Sequence, residues 1–530
     1  MKIVTAAEMA DLEASCNLSE EQLAENAGYR VAVAIDHLEP TNPVMVLCGP
    51  GNNGADGLIA AFYLASEFAI DAQVILAADP EGLRPLGRKA YRRLAETDVT
   101  IFVAGSKKYE RALERLGQDE ILVDCLLGTG QKGPPRGEVA KIMDALGGHK
   151  RTVAVDVPTG IDSDTGEILG AHAAPFLTLC LGYPKRYLFT GESRKYAIHW
   201  KLVPIGIPDD FEKHANRPEL IGQEIESLLP ERVAFSNKRS SIVLSVAGSR
   251  QYSGAAALVA SAAMRMGAGM VVAAGPPDGL VAVRQRIVEA PIAEVPSYDG
   301  EITGDAAVVL QPWLLQADAV VLGPGLGRSS GAGDAVESLL STDIVTRWVV
   351  DGDALHHVTE RGLTDWQGGS VLTPHSGEAA RLLGTTAEEV DRDRFGSASE
   401  LARKFNQVVV LKGMHPIVAT ADGELTVVAT GTPLLASAGT GDVLAGMIGA
   451  LLAQGVKPAN AASLGTCIHG YLAEITSVRM GRRTYGVLAS ELAEEIPVVV
   501  ALMREGGLCP KCLELLAPNI QEDEYEEEQP

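Results

Sequence analysis

The chain has 530 residues, of which 46% are hydrophobic and 22% are charged. This length is too great for one ordinary hydrophobic core, so we expect at least two domains. Lys+Arg 45 against Asp+Glu 69 gives a net charge of -24, which disfavours nucleic acid and anionic membranes as partners. A ligand that carries phosphates therefore needs local anion-binding turns, because the overall electrostatic field repels it.

The cysteines and the apolar segments argue against a disulfide-rich, a secreted or a membrane-spanning protein. The chain has 7 scattered cysteines, an odd number that is unlike a disulfide framework. Cys509 and Cys512 form a lone CxxC, whereas a structural zinc normally takes four ligands, so we expect no metal there. The N-terminus meets acidic residues too early for a signal peptide, and the apolar run 443–453 is shorter than the roughly 20 residues of a membrane span. We expect a cytoplasmic protein.

The first half alternates short apolar runs with helical stretches, a pattern typical of a parallel sheet covered on both faces. The predicted strands are residues 44–48, 74–76, 99–103, 121–124, 152–157 and 177–181. Three clusters of glycine and polar residues follow such strands, namely residues 49–57 (GPGNNGADG), 124–130 (DCLLGTG) and 156–162 (DVPTGID). Each cluster alone also fits a glycine turn or an Asx cap. Three of them at strand ends favour a shared ligand site.

Asn53, Asp124 and Thr159 lie in these three clusters and offer oxygen atoms but no soft ligand. A hard cation such as potassium, sodium or magnesium suits these ligands, and zinc does not.

After a polar stretch at residues 218–236, which we interpret as the domain connection, a second alternating series begins. Its predicted strands are residues 242–247, 270–274, 319–322, 348–350, 371–373 and 408–411. The expected fold class is α/β, with two doubly wound domains that share no detectable sequence repeat. The last ten residues hold six acids and are predicted to be a solvating tail.

Residues 434–450 (LLASAGTGDVLAGMIGA) carry the most specific chemistry of the second half. A glycine-rich turn that leads into a helix leaves backbone N–H groups unpaired at the positive end of the helix dipole, where phosphate binds. Asp442 would repel a permanently bound phosphate, so it fits better as a base or a metal-facing group beside a phosphoryl group in transit. The alternative is an acidic residue that only caps the helix.

The second half resembles the ADP-dependent NAD(P)H-hydrate dehydratases of the ribokinase-like superfamily. The resemblance rests on seven ordered segments: GSRQYSGAAALVASAAMRMGAGMV, GPGLGR, VVDGDAL, TPHSGEAARLL, VVLKGMHPIV, LLASAGTGDVLAGMIGALLAQG and TYGVLASELAEEIP. The first half resembles the Rossmann-like NAD(P)H-hydrate epimerases through LAENAG, GPGNNGADGL, DCLLGTGQKG and DVPTGID. The implied domains are residues 1–228 for the epimerase, 229–518 for the dehydratase and 519–530 for the acidic tail.

The resemblance implies a bifunctional repair reaction. The epimerase half interconverts the R and S forms of NADH or NADPH hydrated at C6 of the nicotinamide ring. The dehydratase half acts on the S form with ADP and yields AMP, phosphate and the restored cofactor. The expected ligands are hydrated NADH or NADPH and ADP, with potassium in the first half and magnesium accompanying ADP in the second. We expect a homo-oligomer without nucleic-acid or membrane partners.

The resemblance also assigns site residues in the dehydratase half. Asp442 is the expected catalytic base. The hydrated cofactor is expected to contact Ala268, Gly325, His375 and Asp442. ADP is expected to contact Lys412, Gly413, Met414, His415, Pro416, Thr432, Ser437, Ala438, Gly439, Thr440 and Gly441.

In the epimerase half the resemblance assigns Asp156 to proton handling, through either a ring-opened or an iminium species. The other expected substrate contacts are Asn52, Asn53, Gly54, Ala55, Asp56, Gly128, Thr129, Gly130, Gln131, Lys132, Gly133 and Pro134. The expected potassium ligands are Asn53, Asp124 and Thr159.

The chain departs from the family pattern at four positions. Thr159 replaces a usual Ser, Thr440 gives GTGD for the commoner GSGD, and Glu491 replaces a usual Asp. Pro416 stands where a Thr is usual, which removes a hydroxyl and a backbone donor near the nucleotide. Two other functions stay open at this point. One is a kinase for a vitamin-precursor alcohol on the same fold, and the other is a first half that senses nucleotides without turnover.

Overall fold

The computed structural model describes residues 1–116, 121–147, 151–208, 217–231, 237–344, 347–366, 369–481, 485–506 and 508. The chain divides into two compact units, and the division falls between residues 215 and 216. The predicted boundary after residue 228 lies later, because the short strand Glu219–Leu220 pairs with the sheet of the second unit. Cys509, Cys512 and the acidic tail lie outside the described residues.

The first unit is built around a seven-stranded sheet in the order β3-β2-β1-β4-β5-β6-β7, in which every pair of neighbours is parallel. Its strands are β1 (Val44–Cys48), β2 (Ala72–Leu76), β3 (Thr100–Val103), β4 (Ile121–Cys125), β5 (Thr152–Val155), β6 (Leu177–Leu181) and β7 (Trp200–Val203). All six predicted strands of this half are confirmed, and β7 was not predicted. Strands β2 and β3 are added on one side of β1, and β4 to β7 are added on its other side. Open α/β sheets bind ligands at such a switch point, here between β1 and β4.

The helices of the first unit cover this sheet. They are α1 (Ala6–Ser15), α2 (Glu20–Asp36), α3 (Asn52–Ser66), α4 (Pro85–Ala95), α5 (Lys107–Leu113) and α6 (Gly137–Leu146). Thr5 and Ser19 begin α1 and α2 with capping boxes, which satisfy backbone donors that a helix start leaves unpaired. Strands β1 and β4 are buried along their whole length, as a parallel sheet between two helical layers requires.

The second unit contains a ten-stranded sheet in the order β11-β10-β9-β14-β15-β16-β17-β18-β19-β8 and a small antiparallel pair, β12 and β13. The strands are β8 (Glu219–Leu220), β9 (Ile242–Val246), β10 (Met270–Gly275), β11 (Ile292–Glu294), β12 (Ser297–Tyr298), β13 (Glu301–Ile302), β14 (Ala319–Leu322), β15 (Trp348–Val350), β16 (Val371–Leu372), β17 (Val408–Leu411), β18 (Ile417–Ala419) and β19 (Leu425–Val427). The pairs β17–β18 and β18–β19 are antiparallel, and the other pairs of the large sheet are parallel. All six predicted strands of this half are confirmed, and the α/β class holds for both units.

The helices of the second unit are α7 (Ser253–Arg265), α8 (Val281–Arg286), α9 (Ala306–Leu314), α10 (Ser330–Leu340), α11 (Asp353–Glu360), α12 (Ser376–Leu383), α13 (Ala387–Arg392), α14 (Arg394–Phe405), α15 (Thr440–Ala453), α16 (Pro458–Arg479) and α17 (Ala489–Arg504). Helix α15 is buried along nearly its whole length, which fixes the turn at its start. None of the described helices combines the length and the apolar composition that a membrane span requires.

Candidate functional site

The loop between β1 and α3 in the first unit lies directly against the loop that follows β4. A Cβ atom on Gly49 would lie 1.8 Å from the Leu126 carbonyl oxygen, and one on Gly54 would lie 1.9 Å from the Gly49 carbonyl oxygen. Only glycine permits such close backbone approach. The two glycines therefore bring the start of α3, with Asn53, to the carboxyl end of β4.

The three predicted cation ligands meet in one buried network. The Asn53 amide nitrogen donates to the carbonyl oxygens of Leu127 at 2.9 Å and Val155 at 3.1 Å. The Thr159 hydroxyl and backbone N–H donate to the two Asp124 carboxylate oxygens at 2.7 and 2.8 Å. Burial raises the pKa of Asp124, although these hydrogen bonds oppose the shift. Within the described part of the chain the buried Asn53 amide oxygen accepts no hydrogen bond, so the network has an oxygen that suits a hard cation.

A cavity of about 940 Å³ opens beside this network. Eight of the predicted epimerase residues line it, namely Asn52, Asn53, Asp56, Gly128, Thr129, Gly130, Gln131 and Asp156. The other five do not line it, namely Gly54, Ala55, Lys132, Gly133 and Pro134. Gly54 and Ala55 are buried within α3, and Lys132 and Pro134 are exposed on the loop after β4.

Lys185 is a residue of this cavity that the sequence analysis missed. Its side chain is completely buried, forms an ion pair with Asp156 and donates to the Leu181 carbonyl oxygen at 2.5 Å. Burial opposes the ammonium charge, but the Asp156 carboxylate keeps the pKa of Lys185 above its ordinary value. Asp156 has a φ of +67°, and its carbonyl oxygen accepts from the Tyr187 hydroxyl at 2.8 Å. Such a strained conformation points to a functional position.

In the second unit the turn before α15 has the expected shape of an anion site. Gly439 adopts a left-handed conformation with φ of +88°, and the Thr440 hydroxyl donates to the carbonyl oxygens of Leu435 at 2.8 Å and Ser437 at 2.9 Å. The Thr440 N–H makes a long bond of 3.4 Å to the Ser437 carbonyl oxygen. The backbone N–H groups of Ala438, Gly439 and Gly441 have no acceptor among the described residues. These three N–H groups of the turn are thus available to an anion.

Asp442 lies beside a lysine and a second carboxylate at the carboxyl edge of the sheet. Lys412, after β17, donates to the Asp351 carboxylate at 2.8 Å, and Thr373 donates to the same oxygen at 2.7 Å. A Cβ atom on Gly441 would lie 3.6 Å from the Lys412 ammonium nitrogen, so this cation faces the turn. Burial, and then the Asp351 charge, raise the pKa of Asp442 to about 7, although Lys412 opposes the shift. A carboxyl with this pKa can act as a base near neutral pH.

His375 caps the start of α12, close to Lys412. Its ring Nδ1 accepts from the backbone N–H of Gly377 at 3.0 Å, while its side chain is 56% exposed. Glu378 lies 3.9 Å from the Lys412 ammonium nitrogen. Burial, followed by the Lys412 charge, lowers the pKa of His375 and so favours the neutral ring, whose Nε2 lies 3.5 Å from a Glu378 carboxylate oxygen.

Arg394 fixes the backbone of the predicted nucleotide loop, residues 412–416, by hydrogen bonds. This arginine was not predicted as a site residue. Its completely buried guanidinium donates to the carbonyl oxygens of Leu411 at 3.1 Å, Lys412 at 3.3 Å and His415 at 3.2 Å. A Cβ atom on Gly413 would lie 2.9 Å from this guanidinium. Arg394 stands at the start of α14, and no motif in the sequence connects it with the loop.

The structure does not bring Ala268 together with Asp442, so the predicted contact of Ala268 with the substrate stays a prediction. Ala268 precedes β10 at the amino edge of the sheet, where the Gln454 amide donates to the Met266 carbonyl oxygen at 3.1 Å. Gln454 caps the end of α15, a helix of 14 residues, whereas Asp442 lies at its start. A helix of that length spans about 20 Å, so Ala268 and Asp442 are far apart. Gly325 follows β14 at the carboxyl edge of the sheet, the edge at which Asp442 lies. Its backbone lies against Tyr252.

Comparisons with known proteins match both halves of the chain. A family model described as NAD(P)H-hydrate dehydratase matches residues 243–498, and one described as YjeF-related protein N-terminus matches residues 20–187. The bifunctional NAD(P)H-hydrate repair enzyme of Moorella thermoacetica is 35% identical, covering 95% of this chain and 98% of its own length. The chain belongs to the family of bifunctional NAD(P)H-hydrate repair enzymes. The resemblance predicted from the sequence is confirmed for both halves.

Other members of the NAD(P)H-hydrate repair family match over similar lengths. The enzyme of Vibrio cholerae is 35% identical, covering 89% of this chain and 91% of its own length. The Escherichia coli enzyme is 32% identical, covering 86% of this chain and 84% of its own length. A crystal structure of the ADP/ATP-dependent NAD(P)H-hydrate dehydratase from Bacillus subtilis, co-crystallised with ATP/Mg2+, is 30% identical and covers 54% of this chain and 99% of that one, with a TM-score of 0.47.

Proposed function

We propose that this chain is active at both sites. The first unit interconverts the R and S forms of hydrated NADH and NADPH, and the second dehydrates the S form with ADP to give NAD(P)H, AMP and phosphate. The observation that carries the proposal is the position of Asp442. It lies beside Lys412 and directly behind backbone N–H groups that have no acceptor among the described residues. A phosphoryl-transfer site needs a base, a cation and anion-binding N–H groups in this relation.

In the dehydratase site Asp442 accepts the proton of the C6 hydroxyl. The hydroxyl oxygen then attacks the terminal phosphorus of ADP, and AMP departs. The N–H groups of Ala438, Gly439 and Gly441 and the Lys412 ammonium neutralise the charge on the moving phosphoryl group. Hydroxide is a poor leaving group, whereas phosphate departs readily as the ring nitrogen donates its electron pair, and loss of a C5 proton restores the double bond.

ADP lies along residues 412–416 and 437–441 in this proposal. Arg394 fixes the first segment and the Thr440 hydroxyl fixes the second. The second Asp351 oxygen lies 3.9 Å from a Cβ position on Gly441, so it faces the same turn and suits a magnesium ion that arrives with the nucleotide. Such an ion supplies further positive charge to the phosphates.

In the epimerase site the hydrated ring occupies the cavity beside Asp56 and Asp156. Potassium is held by Asn53, Asp124 and Thr159, a proposal supported by the buried amide oxygen of Asn53 that lacks a partner among the described residues. Asn53, Asp124 and Thr159 would hold such an ion between the loops after β1, β4 and β5, where it would supply positive charge to the cavity wall.

The dehydratase is expected to lose activity as the pH falls through about 7. The pKa of Asp442 is raised to about 7 by burial and by Asp351, with Lys412 opposing and Asp353 adding to the rise. The base must be ionised, so kcat/KM should rise about tenfold per pH unit below that value and level off above it. Initial rates of NADH formation at pH 5.5 to 8.5 measure this profile. A rate that stays level from pH 5.5 upward would exclude Asp442 as the titrating base.

The proposed function is tested by supplying a mixture of R and S hydrated NADH with ADP or ATP. We expect complete return of NADH absorbance, release of free phosphate, and faster turnover with ADP than with ATP. A stable phosphoester without NADH would indicate a kinase instead. If only the S fraction reacts at an enzymatic rate, the first unit is not an epimerase. Replacing potassium by tetramethylammonium should slow consumption of the R form alone.

A further inference from the structure

The cavity of the first unit carries an unusual excess of acidic groups. Six charged side chains line it: the acids Glu13, Glu20, Asp56 and Asp156 and the bases Arg84 and Lys185. Four acids against two bases leave a net charge of -2 when all are ionised and of -1 when one acid carries a proton. A cavity with this charge favours a cation inside it.

The acids of this cavity differ in their partners. Asp156 is paired with the buried Lys185 ammonium, and Glu20 accepts from the Asn52 amide at 2.9 Å. Asp56, by contrast, has no hydrogen-bond or ion-pair partner in the part of the chain that the structure describes. The Lys185 ammonium therefore pairs with Asp156 and not with Asp56.

The two aspartates also differ in the charges that surround them. Burial, and then the charges of Asp156 and Glu13, raise the pKa of Asp56 well above its ordinary value, with Lys185 opposing. Asp156 faces the Lys185 ammonium instead, so the two aspartates of this cavity have opposite electrostatic surroundings. A carboxyl among acidic neighbours, beside a carboxylate that is paired with an ammonium, is the arrangement of an acid next to a charge stabiliser.

We propose that Asp56 is the catalytic acid of epimerisation and that the reaction passes through an iminium cation. The proposal rests on the epimerase function proposed above. Asp56 gives its proton to the C6 hydroxyl, the C6–O bond breaks with loss of water, and the N1 electron pair forms the N1=C6 bond. Water then adds to C6 on the opposite face, the electron pair returns to N1, and the added water gives its proton back to Asp56.

The charge of the cavity favours this route over opening of the ring. The iminium ion is positive, so Asp156 and Glu13 stabilise it as it forms. Ring opening needs a base that removes the hydroxyl proton, and negative charge then develops on oxygen. The same carboxylates repel that charge. The two routes also differ in the fate of the C6 oxygen, which the iminium route exchanges with solvent and ring opening retains.

The test is epimerisation of purified R hydrated NADH by the full-length chain in 18O-labelled water without ADP. We expect one solvent oxygen at C6 for each inversion at the earliest times, after subtraction of the spontaneous reaction. Inversion with the original oxygen retained would overturn the iminium route. Absence of any enzymatic inversion would instead refute the proposed epimerase function, so the two failures are distinguishable.

Asp56→Asn, with Glu13→Gln as the matched control, tests the assignment of the acid. Loss of a general acid typically costs about 10²- to 10⁴-fold, so Asp56→Asn should lower epimerase turnover by at least about 100-fold. Glu13→Gln removes only a neighbouring charge and should cost less than about tenfold. Equal losses in the two variants, or near-normal turnover of Asp56→Asn, would remove Asp56 from the role of acid. The 18O result is obtained on the unmodified chain and does not depend on how the variants fold.

Discussion

Replacing Asp442 with Asn is expected to abolish dehydration of S hydrated NADH while nucleotide binding is retained. Asn has the shape of Asp but cannot accept a proton, and loss of a general base typically costs about 10²- to 10⁴-fold in rate. The N–H groups of Ala438, Gly439 and Gly441 and the Lys412 ammonium are unchanged by the substitution. The ADP dissociation constant should therefore change by less than about threefold, or improve slightly because a nearby negative charge is removed.

Single-turnover NADH formation and calorimetric titration with ADP separate these two effects. Asp353→Asn is the matched control, because Asp353 also raises the pKa of Asp442 but is paired with Arg328 at 2.9 Å. The control should retain turnover within about tenfold and shift the lower limb of the pH profile to slightly lower pH. Near-normal turnover of Asp442→Asn would show that another group takes the proton.

The sheets and the position of both sites follow from local sequence pattern. All twelve predicted strands form, because fully buried parallel strands need unbroken runs of Val, Ile and Leu. Parallel connectivity then places the loops after β1, β4 and β5 at one edge, so Asn53, Asp124 and Thr159 meet although more than 30 residues separate each from the next. The strands that were not predicted are mostly two or three residues long, too short to show a period.

The partners of the site residues could not be predicted, because packing rather than spacing brings them there. Lys185 reaches Asp156 from the loop after β6, and Arg394 reaches residues 412–416 from the start of a helix. The position of Ala268 could not be predicted for a related reason. It belongs to the same segment as the glycine turn after β9, but helix α7 intervenes and returns the chain to the opposite edge of the sheet. Sequence proximity to a motif gives no information on which edge a residue occupies.

Replacing Lys185 with Met is expected to destabilise the first unit by about 3–5 kcal/mol and to abolish epimerase turnover. Removing one partner of a buried ion pair leaves the other charge uncompensated, and this is the usual range of the cost. Met fills most of the volume of the lysine side chain, so the loss is electrostatic rather than a cavity effect. Asp156 would then face Asp56 and Glu13 in the same cavity without a counter-charge.

Hydrogen exchange resolved by peptide measures the effect separately in each unit. Amides of β5 and β6 should exchange faster in Lys185→Met, while those of β14 and β15 in the second unit should exchange as in the unchanged chain. The double variant Asp156→Asn with Lys185→Met removes both charges and should recover most of the lost stability, but no epimerase activity. If the single and double variants are equally unstable, the role of Lys185 is packing alone. If the single variant retains turnover, the Asp156–Lys185 pair does not organise the reacting groups.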